Sequence, residues 1–195
     1  MKNNDLAIFG GSKTIPFEFE RYNSIGLEEE KAVNDVMKTR VLSKFIGADH
    51  PDFFGGPKVK EFEKKWAQYF NVKHAITVNS WTSGLTAALG AVGIEPGDEV
   101  IVTPWTMSAS ATAILNWNGI PVFADINKDT YNIDPISIKK NISKFTKAIV
   151  VVDIFGQSAD IDEIMDIAKE HGLKVISDSA QAPNAIYKNQ YAGTI

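Results

Sequence analysis

The 195-residue sequence contains no cysteine and three histidines, which removes several kinds of chemistry. Without cysteine there are no disulfides, no thiolate nucleophile and no cysteine metal site. The histidines His50, His74 and His171 show no metal-ligand spacing. The sequence therefore predicts no metal centre.

The sequence also lacks a basic excess and a long apolar run. Its 20 Lys and Arg residues stand against 24 Asp and Glu residues, and the formal net charge of −4 gives no electrostatic footprint for nucleic acid. No stretch approaches the roughly 18 to 20 apolar residues of a membrane span, and the N-terminus lacks the apolar core of a signal peptide. These absences predict a cytoplasmic protein that binds neither nucleic acid nor membrane.

What the sequence does contain is an alternation of short apolar runs and helical patterns. The runs are rich in β-branched residues without strict polar alternation, which is typical of strands covered on both faces. Strands that alternate with helices are typical of right-handed βαβ units, so the sequence predicts an α/β fold with a mostly parallel sheet and flanking helices. The runs are 75–78, 99–102, 121–124, 147–152 and 173–177, and the helical stretches between them are about 82–92, 108–118, 135–143 and 160–171.

The N-terminal part has a different character. Residues 1–25 are irregular and predict an extended arm, whereas 26–195 form the main domain. This domain begins with two helical patterns, over about 26–38 and 57–70.

Residues after the apolar runs are candidates for a binding site, because ligands of doubly wound sheets bind at the carboxyl ends of the strands. Thr82 and Ser83 open a helix whose free amides and hydroxyls suit a phosphate, and ordinary helix capping is the alternative. Trp105 suits stacking on a planar ligand, and packing of Trp105 and Met107 in the core is the alternative.

The most specific signal is Asp178, which follows an apolar run. A carboxylate there is costly unless it is paired, either with a protonated ring nitrogen of a ligand or with neighbouring backbone amides. Asp153 ends another run, where it either has a function or caps the turn at Gly156. The glycine fingerprint of dinucleotide binding is absent, which argues against a nicotinamide nucleotide.

Taken in order, six segments resemble the DegT/DnrJ/StrS family of pyridoxal-phosphate-dependent sugar aminotransferases. The resemblance implies the large domain of the aspartate-aminotransferase fold (fold type I), present in incomplete form over 26–195, and the cofactor pyridoxal 5′-phosphate. The segments are 79–85, 93–100, 121–125, 130–135, 155–160 and 178–182.

The resemblance also implies roles for single residues. Thr82 and Ser83 match the positions that hold the cofactor phosphate at a helix N-terminus. Asp178 matches the carboxylate that faces the pyridine nitrogen and keeps it protonated. Gln181 matches the residue near the ring hydroxyl of the cofactor.

Two positions depart from the family pattern. The family has an aromatic residue stacked on the cofactor ring, and that position is Met107 here, with Trp105 two residues before it. Trp81 stands where the family usually has glycine.

The catalytic lysine of the family forms a Schiff base with the cofactor, and no lysine of this sequence follows an aspartate strand in the required order. Lys188 comes too early and lies in a predicted hairpin turn over 187–190. The sequence therefore predicts the N-terminal part of an aminotransferase, inactive by itself because the lysine is missing.

The activity that the resemblance implies is amination of a keto group of a nucleotide-linked sugar, with glutamate as amino donor, in polysaccharide biosynthesis. The resemblance implies a homodimer for the intact enzyme. The alternative hypothesis is a non-catalytic domain, or one half of a split enzyme, that acts through protein association. The third hypothesis, a dehydrogenase-like nucleotide binder, rests on the fold class alone, and the missing glycine fingerprint and the Asp178 segment argue against it.

Overall fold

The computed structural model describes residues 6–42 and 44–195. Within this part, every helix is too short or too polar to cross a membrane. The chain divides into two compact units, Met1–Gly56 and Pro57–Ile195. The boundary of the arm at residue 25 stays a prediction.

The first unit contains a 3₁₀ turn, Ala7–Phe9, and helix α1, Leu27–Thr39. The helix begins after Gly26, whose N–H donates to Glu29 Oε2 at 2.7 Å. This hydrogen bond lowers the pKa of the Glu29 carboxyl. Because no residue of α1 is buried, local capping rather than a core supports this helix.

The second unit contains four strands, β1 (Glu99–Val102), β2 (Ile120–Phe123), β3 (Thr146–Val152) and β4 (Lys174–Asp178). They form a fully parallel sheet in the order β2-β1-β3-β4. This result confirms the α/β class, the parallel sheet and four of the five predicted strands.

Helices cover both faces of the sheet, as the apolar runs predict. The helices of this unit are α2 (Pro57–Tyr69), α3 (Trp81–Ala91), α4 (Ala109–Leu115), α5 (Pro135–Asn141) and α6 (Ile161–His171). Successive residues of β3 point to opposite faces, so Val150 joins one hydrophobic cluster and Ile149 the other. The cluster of Val150 takes residues from α3 and α4, and the cluster of Ile149 takes residues from α5 and α6.

The apolar run 75–78 is not a strand, so that prediction is wrong. No strand of the described chain pairs with it, and Ile76 is 83% exposed. The backbone N–H of Thr77 donates instead to Glu63 Oε1 at 2.8 Å. A strand needs a neighbouring backbone to satisfy its amides, and here a side chain of α2 takes that place.

The predicted hairpin turn over 187–190 is confirmed. Strands β5 (Ile186–Tyr187) and β6 (Gln190–Tyr191) pair antiparallel. Both turn residues, Lys188 and Asn189, have positive φ, as a two-residue hairpin loop requires. The ring of Tyr191 stacks on Tyr69 of α2 at 5.8 Å, and the hydrogen bond that the Tyr191 hydroxyl donates to Tyr69 raises the pKa of Tyr191.

Gly90 of α3 lies directly under the indole of Trp117. A Cβ at Gly90 would be 2.2 Å from Trp117 Cζ2, and the indole is fixed because its Nε1 donates to Thr86 O at 2.7 Å. We expect Gly90→Ala to lower the free energy of unfolding by about 1–3 kcal/mol, although alanine favours helix by about 1 kcal/mol. Urea denaturation measures this, with the exposed Ala87→Ser as control. A Gly90→Ala chain as stable as the parent would contradict the packing of Trp117.

Candidate active site

Asp178 is the last residue of β4 and lies at the carboxyl end of the parallel sheet. Ile176, two residues earlier, packs in the cluster with α3 and α4, so the side chain of Asp178 projects to the same face. Asp178 is 6% exposed. A buried carboxylate in this place needs hydrogen-bond donors.

Three donors surround the carboxylate of Asp178. Oδ1 accepts from Trp81 Nε1 at 2.5 Å and from the backbone N of Ala180 at 3.3 Å. Oδ2 accepts from Ser110 Oγ at 2.8 Å. Ser110 Oγ lies 3.0 Å from Thr106 Oγ1, so hydroxyls extend the network towards the end of β1. Residues of α3 and α4 thereby converge on the end of β4.

The two residues beside Asp178 belong to the opposite face of the sheet. Ser177 Oγ and Ser179 Oγ both donate to Asp153 Oδ2, at 3.1 and 2.6 Å. Asp153 Oδ1 accepts from the backbone N of Ala159 at 2.9 Å, and Asp153 is buried. The turn-cap interpretation of Asp153 is therefore wrong, because the side chain makes no cap and fixes the chain on both sides of Asp178.

Thr82 and Ser83 lie in the first turn of α3, beside Trp81. Ser80 caps this helix, since its Oγ accepts from the backbone N of Ser83 at 3.2 Å. The first amides of a helix have no intrahelical acceptor, which leaves those of Trp81 and Thr82 for an anion. Capping by Ser80 and an anion site at Thr82 are therefore compatible.

Gln181 connects the end of β4 to the turn after β3. Its Oε1 accepts from the backbone N of Phe155 at 3.2 Å. The Phe155 ring lies 6.1 Å from that of Tyr131, which in turn lies 5.8 Å from that of Trp105. We call Trp105, Tyr131 and Phe155 the aromatic row.

Neither Trp105 nor Met107 belongs to the core. Trp105 is 49% exposed and contacts Tyr131, and Met107 is 70% exposed. The core-packing alternative for these two residues is therefore wrong.

Two members of the aromatic row have unusual backbone. Tyr131 and Phe155 have φ of 63° and 55°, a left-handed conformation that is rare for bulky residues. The buried Asn132 ties the two turns together, because its Oδ1 accepts from the backbone N of Ile154 at 3.1 Å and its Nδ2 donates to Ser158 O at 3.2 Å. Backbone strain of this kind concentrates at functional sites.

The sequence patterns did not identify Ser110, Tyr131 or the pairing of Trp81 with Asp178. Ser110 had a usable signal, because it lies in the segment that follows strand β1, where ligands of such sheets bind. Trp81 and Asp178 are 97 positions apart, and no local pattern relates them. Among residues 6–42 and 44–195 no cluster of acidic or histidine side chains is suited to a metal ion.

Known proteins of similar sequence and structure match most of the chain. Spore coat polysaccharide biosynthesis protein SpsC of Bacillus subtilis is 43% identical over 171 residues, which are 88% of this chain and 41% of SpsC. The dTDP-3-amino-3,6-dideoxy-alpha-D-galactopyranose transaminase of Aneurinibacillus thermoaerophilus is 44% identical over 140 residues, which are 72% of this chain and 39% of that enzyme.

A solved structure of an aminotransferase-fold protein also resembles this chain. NtdA from Bacillus subtilis, crystallised with bound cofactor PMP, superimposes with a TM-score of 0.74 at 32% identity, over 84% of this chain and 35% of NtdA. This likeness confirms the fold type I aminotransferase architecture. The chain spans about two fifths of the length of the curated relatives it matches.

The family model of the DegT/DnrJ/EryC1/StrS aminotransferases matches residues 31–195. The parallel sheet and the buried carboxylate at its carboxyl end are consistent with this match. The chain belongs to the DegT/DnrJ/EryC1/StrS aminotransferase family.

Proposed function

We propose that this chain forms one side of a pyridoxal 5′-phosphate site in an aminotransferase that aminates a keto group of a nucleotide-linked sugar. The observation that carries this proposal is the buried carboxylate of Asp178, which accepts an aromatic N–H at the carboxyl end of the sheet. The transaminase of A. thermoaerophilus and the polysaccharide protein SpsC support the sugar substrate and its biosynthetic use. Glutamate as donor and a homodimer belong to the same proposal. A cytoplasmic location remains a prediction.

The chemistry of the residues fits the cofactor. A protonated pyridine ring is a flat aromatic N–H donor, and the Trp81 indole is a donor of the same kind that already reaches Asp178. Ala180 N and Ser110 Oγ both donate to the carboxylate, so its oxygens act as acceptors. When bound, pyridoxal phosphate supplies an electron sink for a carbanion at the substrate carbon.

Asp178 is the residue that would hold the proton on the ring nitrogen. The hydroxyl of Ser110 and the backbone N of Ala180 fix the plane of its carboxylate. On the other face, Asp153 holds Ser177 and Ser179 and so fixes the backbone from which Asp178 projects. A preorganised acceptor of this kind favours the charged ring without reorganisation.

The other candidate residues surround the same edge of the sheet. Thr82 and Ser83 would bind the phosphate at the N-terminus of α3. Gln181 would donate to the ring hydroxyl, because its Oε1 is already used by Phe155 and its amide NH₂ remains as a donor. Trp105 and Met107, after β1, would cover the ring.

We infer that the lysine that bonds the cofactor covalently is not among these 195 residues. Lys188 is the first lysine after the Asp178 segment, and its ammonium pairs with Asp162. This hydrogen bond raises the pKa of Lys188, whereas a nucleophilic lysine needs a lowered pKa. The chain alone is then expected not to transaminate.

Reduction with borohydride in the presence of pyridoxal phosphate tests this proposal. We expect weak labelling spread over exposed lysines, unchanged by Lys188→Arg, because the inferred lysine partner of the cofactor is not among these 195 residues. Peptide mapping by mass spectrometry measures the labelling. Stoichiometric labelling of one lysine that Asp178→Asn abolishes would contradict the inference, as would turnover of a keto-sugar with glutamate by the 195-residue chain.

Association with another protein is the second candidate function. Strand β4 ends the sheet of the described chain, and one of its edges has no neighbouring strand. Unpaired edges are sites at which a further strand adds. If the partner chain carried the missing lysine, association would complete the proposed aminotransferase site. Copurification of a second chain with this one tests for such a partner.

A further inference from the structure

Trp81 already donates to the carboxylate that the proposed cofactor ring needs. The distance from Trp81 Nε1 to Asp178 Oδ1 is 2.5 Å, the shortest of the contacts that Asp178 accepts. A protonated pyridine nitrogen and an indole Nε1 are both planar aromatic donors. The ring and the indole can therefore compete for the same carboxylate.

The remaining acceptor positions of Asp178 are restricted. Oδ1 accepts from both Trp81 and Ala180, which fills the two lone pairs of that oxygen. Oδ2 accepts from Ser110, a buried hydroxyl placed between Asp178 and Thr106. A ring that donates to Oδ1 must therefore displace the indole, and the one acceptor position left is the second of Oδ2, beside the buried Ser110.

The local packing shows where the indole lies and how it can leave. A Cβ added to Gly84, three residues after Trp81, would be 2.8 Å from Trp81 Cε3 and 3.0 Å from Cζ3. The indole thus fits against Gly84 because this residue has no side chain. Trp81 is 44% exposed, so a rotation about its side-chain bonds carries the ring into solvent.

We propose that Trp81 competes with the cofactor ring for Asp178 and sets the cofactor affinity of this protein. This inference rests on the proposed cofactor site. With the indole on Asp178 the site is closed, and with the indole turned outward it is open. The apparent Kd is then the intrinsic Kd divided by the fraction of open molecules.

Binding of pyridoxamine 5′-phosphate to the 195-residue chain tests the proposal. This probe has the ring and phosphate of the cofactor but forms no imine with lysines, so a missing catalytic lysine does not affect it. By equilibrium dialysis, we expect Trp81→Ala to lower the apparent Kd about tenfold. Trp81→Phe, which keeps a ring but loses the N–H, is expected to lie between this variant and the parent.

Trp117→Phe is the matched control. It removes an indole N–H from the same α3–α4 region, where Nε1 donates to the carbonyl oxygen of Thr86 rather than to Asp178. Its apparent Kd is expected to equal that of the parent. Gly84→Ala keeps Trp81 but removes the space for its ring, so we expect it to act like Trp81→Ala.

A second readout follows the indole itself. In a chain labelled with ¹⁵N-tryptophan, the Nε1–H resonance of Trp81 is assigned by its loss in Trp81→Phe. We expect pyridoxamine 5′-phosphate to move this resonance to the position of a solvent-exposed indole. Asp178→Asn is expected to move it in the absence of the probe.

The outcomes separate the two proposals. If the parent and Trp81→Ala bind the probe with equal Kd, or if binding leaves the Trp81 resonance unmoved, competition is overturned and the cofactor site stands. If neither chain binds the probe while circular dichroism shows both folded, the cofactor site and the competition both fail. Tighter binding by Trp81→Ala and Gly84→Ala, with no change in Trp117→Phe, supports the inference.

Discussion

Asp153→Ala is expected to lower the free energy of unfolding by about 3 kcal/mol. The substitution removes the acceptor of three hydrogen bonds, from the N–H of Ala159 and the hydroxyls of Ser177 and Ser179. A buried donor left unsatisfied costs about 1–3 kcal/mol. The two hydroxyls, 2.9 Å apart, can pair with each other, which keeps the total below the sum of three losses.

Asp153→Asn is the matched control for this experiment. Its side-chain oxygen can still accept from Ala159 N, and its NH₂ can donate to a serine hydroxyl oxygen, so we expect a loss of about 1 kcal/mol. Urea denaturation of the three chains gives the comparison. A loss in Asp153→Ala no greater than in Asp153→Asn would show that the three donors find other partners.

Asp178→Asn, introduced into a chain that already carries Trp81→Ala, is expected to weaken binding of pyridoxamine 5′-phosphate about 30-fold. The substitution replaces a charged acceptor of the ring N–H by a neutral one. Hydrogen bonds to charged groups contribute about 1.5–3 kcal/mol, and 2 kcal/mol corresponds to roughly 30-fold in Kd. Equilibrium dialysis against both single variants measures the loss.

The same substitution in the parent chain is expected to weaken binding much less, about threefold. There it removes the partner of the cofactor ring and also the partner of the competing Trp81 indole, and the two effects oppose each other. The difference between the two backgrounds is the coupling energy of a double-mutant cycle. Equal losses in both backgrounds would exclude competition, and no loss in either would exclude Asp178 as the partner of the ring.

The sheet was predictable because each of its strands has a recognisable local composition. Four apolar runs became β1 to β4, since buried parallel strands need apolar residues on both faces. The run 75–78 has the same composition but no partner within the described chain, and Thr77 bonds to a glutamate instead. Composition identifies a segment that can pair, whereas pairing itself depends on residues elsewhere.

The candidate site was predictable in part for the same reason. Asp178 stands at a strand end, and that position alone indicated a buried carboxylate. Its partner Trp81 depends on how α3 packs against β4, which no local pattern encodes. The aromatic row depends on left-handed backbone at Tyr131 and Phe155, a conformation that neither residue type favours.

The alternation along β4 has a consequence for the charge of the site. Asp178 is paired in register with Val152 of β3, and its neighbours Ser177 and Ser179 face the other way. A slip of β4 by one residue would exchange the two faces, so that a neutral hydroxyl would meet Trp81 and the carboxylate would face Asp153. The register of β4 therefore decides that the negative charge lies on the face with Trp81. The hydrogen bonds from Ser177 and Ser179 to Asp153 stabilise that register.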